Sequence, residues 1–158
     1  MSGRSDVLVL GGGPGGYAAA LYGAAAGRSV TLVEEARVGG TCLHRGCIPA
    51  KELLQTAEVL RTVRAAAAFG IGVDTPTLDL AVSVARKQQV VDRLTKGLEQ
   101  LLAGRSVTVV PGRGEVVDAA AHRVRVGDET LEGDALILAT GSAPRALPGL
   151  PFDGVRVL

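Results

Sequence analysis

The chain is 158 residues long, 47% hydrophobic and 21% charged, with a formal net charge of +1. That length suffices for one domain that buries about 70% of its unfolded surface, and the composition is that of a globular, soluble protein. The near-zero charge gives no reason to expect a nucleic-acid partner, and no segment approaches the ~18 consecutive apolar residues of a membrane span.

The N-terminus passes from a short polar lead straight into an apolar run too short for a secretory signal. A reducing cytoplasm is the expected setting. Val7 to Leu10 reads as a buried parallel strand. Residues 14–26 are Ala-rich and stop at Gly27, which suits a helix with a glycine cap. Val30 to Val33 is a second strand, and the three segments make a βαβ unit. Pro49 fits a first helical turn. Behind it Leu53, Ala57 and Leu60 recur at helical spacing as far as Phe69-Gly70. A longer helix is expected over 78–103, with Leu80, Val84, Val91, Leu94, Leu98 and Leu101 on its apolar face and Gly104 as stop. Val107 to Val110 returns to strand. Residues 113–132 read as a small antiparallel meander turning at Gly127-Asp128. Asp134 to Ala139 reads as another buried strand. The last five residues are apolar and strand-like, an abrupt ending that suggests a fragment.

Gly11 to Gly16, GGGPGG, fits G-x-G-x-x-G with a strand before it and a helix after it, the context the pattern needs. Gly11 permits the tight turn, Gly13 lets a pyrophosphate approach the backbone, and Gly16 allows the helix to lie close on the strand. The helix N-terminus offers free N–H groups and a positive dipole end to phosphates. Glu34 ends the second strand, 18 residues after Gly16, where an acid binds ribose hydroxyls. Glu35 is the fallback.

The two cysteines, Cys42 and Cys47, are five residues apart in GGTCLHRGC. Structural zinc normally needs four ligands, and the histidines His44 and His122 complete such a set poorly, since His122 falls in a distant strand. A structural staple over so short a loop stabilises by about 2 kcal/mol at best, and a reducing cytoplasm opposes it. A redox pair fits better. A five-residue step in a regular helix spans roughly 8–9 Å, while a disulfide needs Cα atoms within about 7 Å, so Cys42 must lie outside a regular helix or the helix start must be distorted. Gly46 eases that bend. Cys47 falls at a helix start, where the dipole lowers thiol pKa. Arg45, and His44 when protonated, add positive charge. Lys51 in a first helical turn is mildly unfavourable there, a hint of another task, although an ordinary solvated lysine explains it too.

The sequence stretches GGGPGGYAAA, VEE, VGGTCLHRGCIPAKELL and ATGSAPRALPG, in that order, resemble the pyridine nucleotide-disulfide oxidoreductases, and within them the dihydrolipoamide dehydrogenase branch. TKGLEQLLAG and VPGRGEV extend the likeness over nearly the whole chain. The resemblance implies an α/β, Rossmann-like FAD-binding domain with a parallel sheet and a small meander, over residues 1–150, and the start of a connection at 151–158. It implies that Gly11, Gly13, Pro14 and Gly16 cradle the FAD pyrophosphate and that Glu34 binds the adenosine ribose. Thr41, Lys51, Gly114, Ala139, Thr140, Gly141 and Ser142 would be further FAD contacts, with Lys51 near the flavin. Cys42 would be the thiol that exchanges with substrate and Cys47 the thiol that faces the flavin. His44 and Arg45 lie where members vary and receive no role.

The implied reaction oxidises dihydrolipoamide and passes two electrons through Cys42–Cys47 and FAD to NAD+. The implied partners are the lipoyl domain of a 2-oxo-acid dehydrogenase complex and a second copy in a homodimer. Glutathione- and mercuric-reductase-like enzymes share the thiol motif and are the alternatives, together with a non-catalytic FAD-binding module. The family pattern continues with an NAD domain, a second FAD segment and a dimerisation domain that supplies a His-Glu base. None of these is found in the 158 residues, so the chain on its own is expected to be inactive.

Overall fold

The computed structural model describes residues 4–157. Met1–Gly3 of the polar lead and the terminal Leu158 lie outside the described residues.

Strand β1, Arg4–Leu10, runs into the glycine loop and helix α1, Pro14–Ala25, and the chain returns as β2, Val30–Glu34. Pro14 stands first in α1, where its missing N–H costs no hydrogen bond. Gly27, at φ 75°, closes the helix: its N–H donates to the Ala24 carbonyl, and the Arg28 N–H to the Gly23 carbonyl. Gly16, Ala20 and Gly23 fall four and three residues apart, so α1 presents a small-residue stripe to the sheet. Gly16 and Ala20 are buried. A Cβ on Gly16 would run into the Gly11 carbonyl, and one on Gly23 would meet Val30 Cγ2 at 3.1 Å.

The chain then forms a short helix α2, Gly40–His44, and a long helix α3, Cys47–Arg64, followed by a 3-10 turn at Ala66–Phe69. Helix α4, Leu80–Gly104, starts at Asp79, whose carboxylate accepts the N–H groups of Ala81 at 2.9 Å and Val82 at 3.2 Å. Strands β3 (Thr108–Pro111), β4 (Gly114–Asp118), β5 (Arg123–Val126) and β6 (Glu129–Leu138) follow.

The sheet order is β3-β2-β1-β6-β5-β4. Strands β3, β2, β1 and β6 are parallel, and β5 and β4 continue antiparallel. This is a Rossmann-like α/β fold. On one face Val9 and Leu32 pack with Ala20 of α1 and Leu102 of α4. On the other, Leu8, Leu10 and Val33 pack under Val124 and Leu131 of the meander. The meander and the last parallel strand are one element: β6 carries both, and at buried Gly133 a Cβ would meet Leu8 Cβ at 2.8 Å. At the outer rim Arg4 pairs with Glu132 (2.8 Å) and Asp134 (2.5 Å), and Arg123 with Glu132 (2.8 Å).

Three expectations about burial are corrected. On α3, Leu53 and Ala57 are exposed, while Ile48, Pro49, Glu52, Thr56, Leu60 and Val63 are the half-buried positions. An ion pair of Glu52 with Arg86 at 3.4 Å joins α3 to α4, and Leu53 and Leu54 face outward. On α4, Leu80, Val84, Leu94 and Leu101 are exposed, and the inward stripe is Ser83, Val91, Thr95, Leu98 and Leu102. The helix has 25 residues, about 38 Å at 1.5 Å per residue, and joins the core cluster of the sheet through Leu98 and Leu102 near its C-terminal end. Thr95, fully buried, satisfies its hydroxyl on the Val91 carbonyl at 2.8 Å. On β6, Ala135, Ile137 and Leu138 are exposed rather than buried, while Leu136 packs into the meander core.

Candidate functional site

The C-terminal ends of β1, β2, β3 and β6 open on a cleft of about 290 Å³, lined by Gly11, Glu34, Glu35, Gly112, Arg113, Gly114 and Thr140 among others. Strand order reverses about β1: the chain leaves β1 towards β2 and β3, then returns on the opposite side as β6. In open α/β sheets ligands bind in the crevice at such a point. The volume is near the lower end of the ~300–1,000 Å³ range of small-molecule sites, so the cleft suits one moiety of a dinucleotide rather than the whole.

Gly11, at φ 103°, turns the chain out of β1, with its N–H on the Val33 carbonyl at 2.8 Å. Glu34 braces the loop. Its Oε2 accepts the Gly12 N–H at 2.6 Å and its Oε1 accepts the Ala36 N–H at 2.8 Å. A carboxylate has roughly four acceptor positions, so two remain for ribose hydroxyls. Gly11 and Gly16 are needed by the protein's own packing. Gly13 is not: a Cβ there would meet only Gly40 Cα, at an ordinary 3.9 Å. Its bare backbone at the α1 N-terminus has no side-chain cap beside it and no acid in the first helical turn. That is the chemistry of a phosphate cradle, and the residues present fit the adenosine and pyrophosphate of a dinucleotide such as FAD.

The cysteines lie directly beside this loop. The Gly39 N–H donates to the Gly12 carbonyl at 2.8 Å, and Gly40, at φ 57°, has its backbone against Gly13, so that a Cβ would come within 2.7 Å of Gly13 Cα. Cys42 is half-buried in α2, and Cys47 is exposed as the first residue of α3. The helix breaks at Arg45-Gly46, where Gly46 takes φ −122° and ψ −105°. The break brings the Cα atoms to 4.7 Å, and the two sulfurs are paired as a disulfide. The first turn of α3 carries no acid, so the dipole end is unopposed at Cys47.

The remaining site candidates are distributed as follows. Lys51 is exposed one turn beyond Cys47, and Thr41 is exposed on α2. Ala139 donates its N–H to the Leu10 carbonyl at 2.8 Å and packs against Gly11. Thr140 lines the cleft, while Gly141 (φ 73°) and Ser142 follow it on exposed chain. Gly114 lines the cleft too, but packing accounts for its lack of a side chain: a Cβ would strike Leu10 and Val124. Arg113 was not anticipated. Its only sequence signal is its place between two glycines in PGRG. His44 was given no role, yet its Nε2 lies 2.9 Å from the Val38 carbonyl oxygen. His122 sits at the meander turn, on a different element from the cysteines.

The sequence pattern of the pyridine nucleotide-disulphide oxidoreductases matches residues 5–157. The chain belongs to this family. Among family relatives, it is 44% identical to a dihydrolipoyl dehydrogenase of Chlamydia muridarum, over 94% of this chain and 32% of that protein. It is 44% identical to dihydrolipoyl dehydrogenase 2 of Haloarcula marismortui, over 98% and 34%. With a dihydrolipoyl dehydrogenase of Bacillus subtilis it shares 41% identity, over 100% and 36%. The crystal structure of LpdA from Mycobacterium tuberculosis superposes with a TM-score of 0.86 at 30% identity, covering 98% of this chain and 35% of that one. The chain thus spans about a third of the length of these family members. No described helix is long and apolar enough to cross a membrane.

Proposed function

We propose that the chain is the FAD-binding, disulfide-bearing portion of a dihydrolipoyl dehydrogenase, acting in a cytoplasmic setting. The observation that carries this reading is the contact between the cysteine-bearing segment and the glycine loop, through Gly39 on Gly12 and Gly40 on Gly13. Residues 1–150 form the FAD-binding segment and 151–158 begin a connection to the NAD-binding part of the complete protein. Gly11, Gly13, Pro14 and Gly16 hold the pyrophosphate, and Glu34 the ribose. Thr41, Lys51, Gly114, Ala139, Thr140, Gly141 and Ser142 complete the FAD contacts.

In the reaction, a thiolate of dihydrolipoamide attacks the Cys42 sulfur and the Cys42–Cys47 bond breaks, leaving Cys47 as thiolate. The second substrate thiol closes the substrate disulfide and releases Cys42, so the cysteines have gained two electrons. Bound FAD supplies the two-electron carrier between the cysteines and NAD+. The α3 dipole and Arg45 favour the thiolate at Cys47. Lys51, on the next turn, adds a cation on the same side of α3. The lipoyl domain of a 2-oxo-acid dehydrogenase complex and a second copy of the chain are the partners this reading implies.

The test compares turnover of dihydrolipoamide with NAD+ against glutathione disulfide with NADPH, using the complete protein. A preference for glutathione disulfide would sink the assignment. The second reading is a non-catalytic FAD-binding module. A stoichiometric flavin spectrum together with NAD+-linked lipoamide activity from the 158-residue chain alone would exclude that module.

A further inference from the structure

We propose that His44 is a positioning residue for the redox pair. Its ring N–H, bonded to the Val38 carbonyl, holds the Cys42 side of the clip in place while the disulfide is open, so that Cys42 and Cys47 remain within closing distance. The inference rests on the reading of Cys42 and Cys47 as a redox pair and names a residue that this reading leaves without a role.

The argument starts from what the open clip would be free to do. Cys42 and Cys47 are on different helices, joined only by Arg45 and Gly46. With the sulfur–sulfur bond cut, that joint is the only covalent tie between them, and glycine loses more conformational freedom on ordering than any other residue. Helix α2 has only five residues, too few to be stable by itself. It must therefore be held from outside. Two side chains do so. Leu43 is buried and lies against Gly39, where a Cβ would collide with it. His44 is half-buried, and its Nε2 lies 2.9 Å from the Val38 carbonyl oxygen. A carbonyl oxygen only accepts, so the ring carries its proton on Nε2.

The acceptor is fixed. Val38 is 5% exposed and packs in the core with Val9, Leu32 and Leu102. The next residue, Gly39, donates its N–H to Gly12. A side chain lying between the two cysteines is thereby tied to a backbone anchored in both the core and the glycine loop. The bond is available in either redox state, because His44 does not take part in the sulfur chemistry. Its effect is on the open state: it limits how far Cys42 swings from Cys47 and keeps their mutual effective concentration high.

The test is a thiol–disulfide equilibrium on the purified chain against mixtures of reduced and oxidised dithiothreitol. Free thiols are trapped by alkylation and counted by mass. In each exchange the reagent's two thiols become its cyclic disulfide. The Cys42–Cys47 bond takes up the two electrons and two protons. For His44→Ala the closing equilibrium is expected to fall about tenfold, equivalent to about 30 mV for a two-electron couple. His44→Gln, which keeps an N–H donor at similar reach, is expected to restore most of the loss. A merely structural role would lower the unfolding midpoint of the oxidised variants without moving this equilibrium. If His44→Ala closes within twofold of the parent, or His44→Gln does no better than alanine, the positioning role is wrong. A parent chain whose thiols fail to close at all would instead overturn the redox reading beneath it.

Discussion

Glu34 and Gly12 are joined at 2.6 Å, with the carboxylate oxygen of Glu34 accepting the loop N–H, and the other oxygen of the same carboxylate accepts Ala36. One side chain at the end of β2 thus fixes both the glycine loop and the start of the segment that leads to the cysteines. Glu34→Ala leaves the Gly12 N–H without its partner inside a partly buried turn. An unsatisfied group of this kind costs about 1–3 kcal/mol. Urea unfolding should show a loss in that range, with Glu34→Gln, which retains one acceptor oxygen, losing less. A loss below the error of the measurement would show that the brace is dispensable.

Gly16→Ala should be more damaging than its single methyl group suggests. The new Cβ would be driven into the Gly11 carbonyl, so α1 must lift off the sheet. Overpacking typically costs about 1–3 kcal/mol. Gly27→Ala is a useful contrast: nothing lies near that position, and only the φ of 75° resists the change. The midpoint of thermal unfolding should fall further for Gly16→Ala than for Gly27→Ala.

Reducing the disulfide should leave the chain folded. Cys42 and Cys47 close a six-residue loop, counted inclusively, and chain-entropy scaling assigns so short a loop about 2 kcal/mol. Circular dichroism before and after reduction should agree, with a modest fall in the unfolding midpoint. Collapse on reduction would mean that the pair is a structural bond.

The rim predicts a response to acid. The Arg123 guanidinium, through its hydrogen bond, holds the Glu132 carboxyl below the usual carboxylate range, and the charges of Arg123 and Arg4 act in the same direction. A lowered folded value means that this contribution is fully present above about pH 4.3, the ordinary glutamate value. It is lost as pH falls through the lower folded value. The unfolding midpoint of Glu132→Gln should therefore lie below that of the parent at neutral pH, and the two should converge in acid. A gap that persists at pH 2 would assign the effect to something other than the charge.

The glycine loop was legible because its demands are backbone demands: a positive φ at Gly11 and no room for a Cβ at Gly16 leave one residue type. A departure from one continuous helix between the cysteines was legible too, since such a helix would hold them too far apart, but a separate short helix carrying Cys42 was not. The outward sides of α3 and α4 were not. Periodicity locates an apolar stripe, as in Leu53, Leu94 and Leu101, but it does not say what covers it, and here an ion pair of Glu52 with Arg86 joins the two helices instead. His44 escaped for another reason. Its partner is the carbonyl of Val38, and a backbone acceptor leaves no mark in a side-chain pattern. Gly114 lines the cleft, yet the space it vacates is filled from behind by Leu10, Val33 and Val124.

Strand β6 serves two parts of the molecule with one uninterrupted backbone, from Glu129 in the meander to Leu138 at the mouth of the cleft. It works as a single beam, gripped by β1 from Glu132 to Leu138 and loaded nearer its other end by the ion pairs of Arg4 and Arg123. A distortion at the rim therefore has no joint in which to dissipate before it reaches Thr140. Substitutions in the meander, remote from both cysteines, should on this account be felt as a shift in one wall of the cleft.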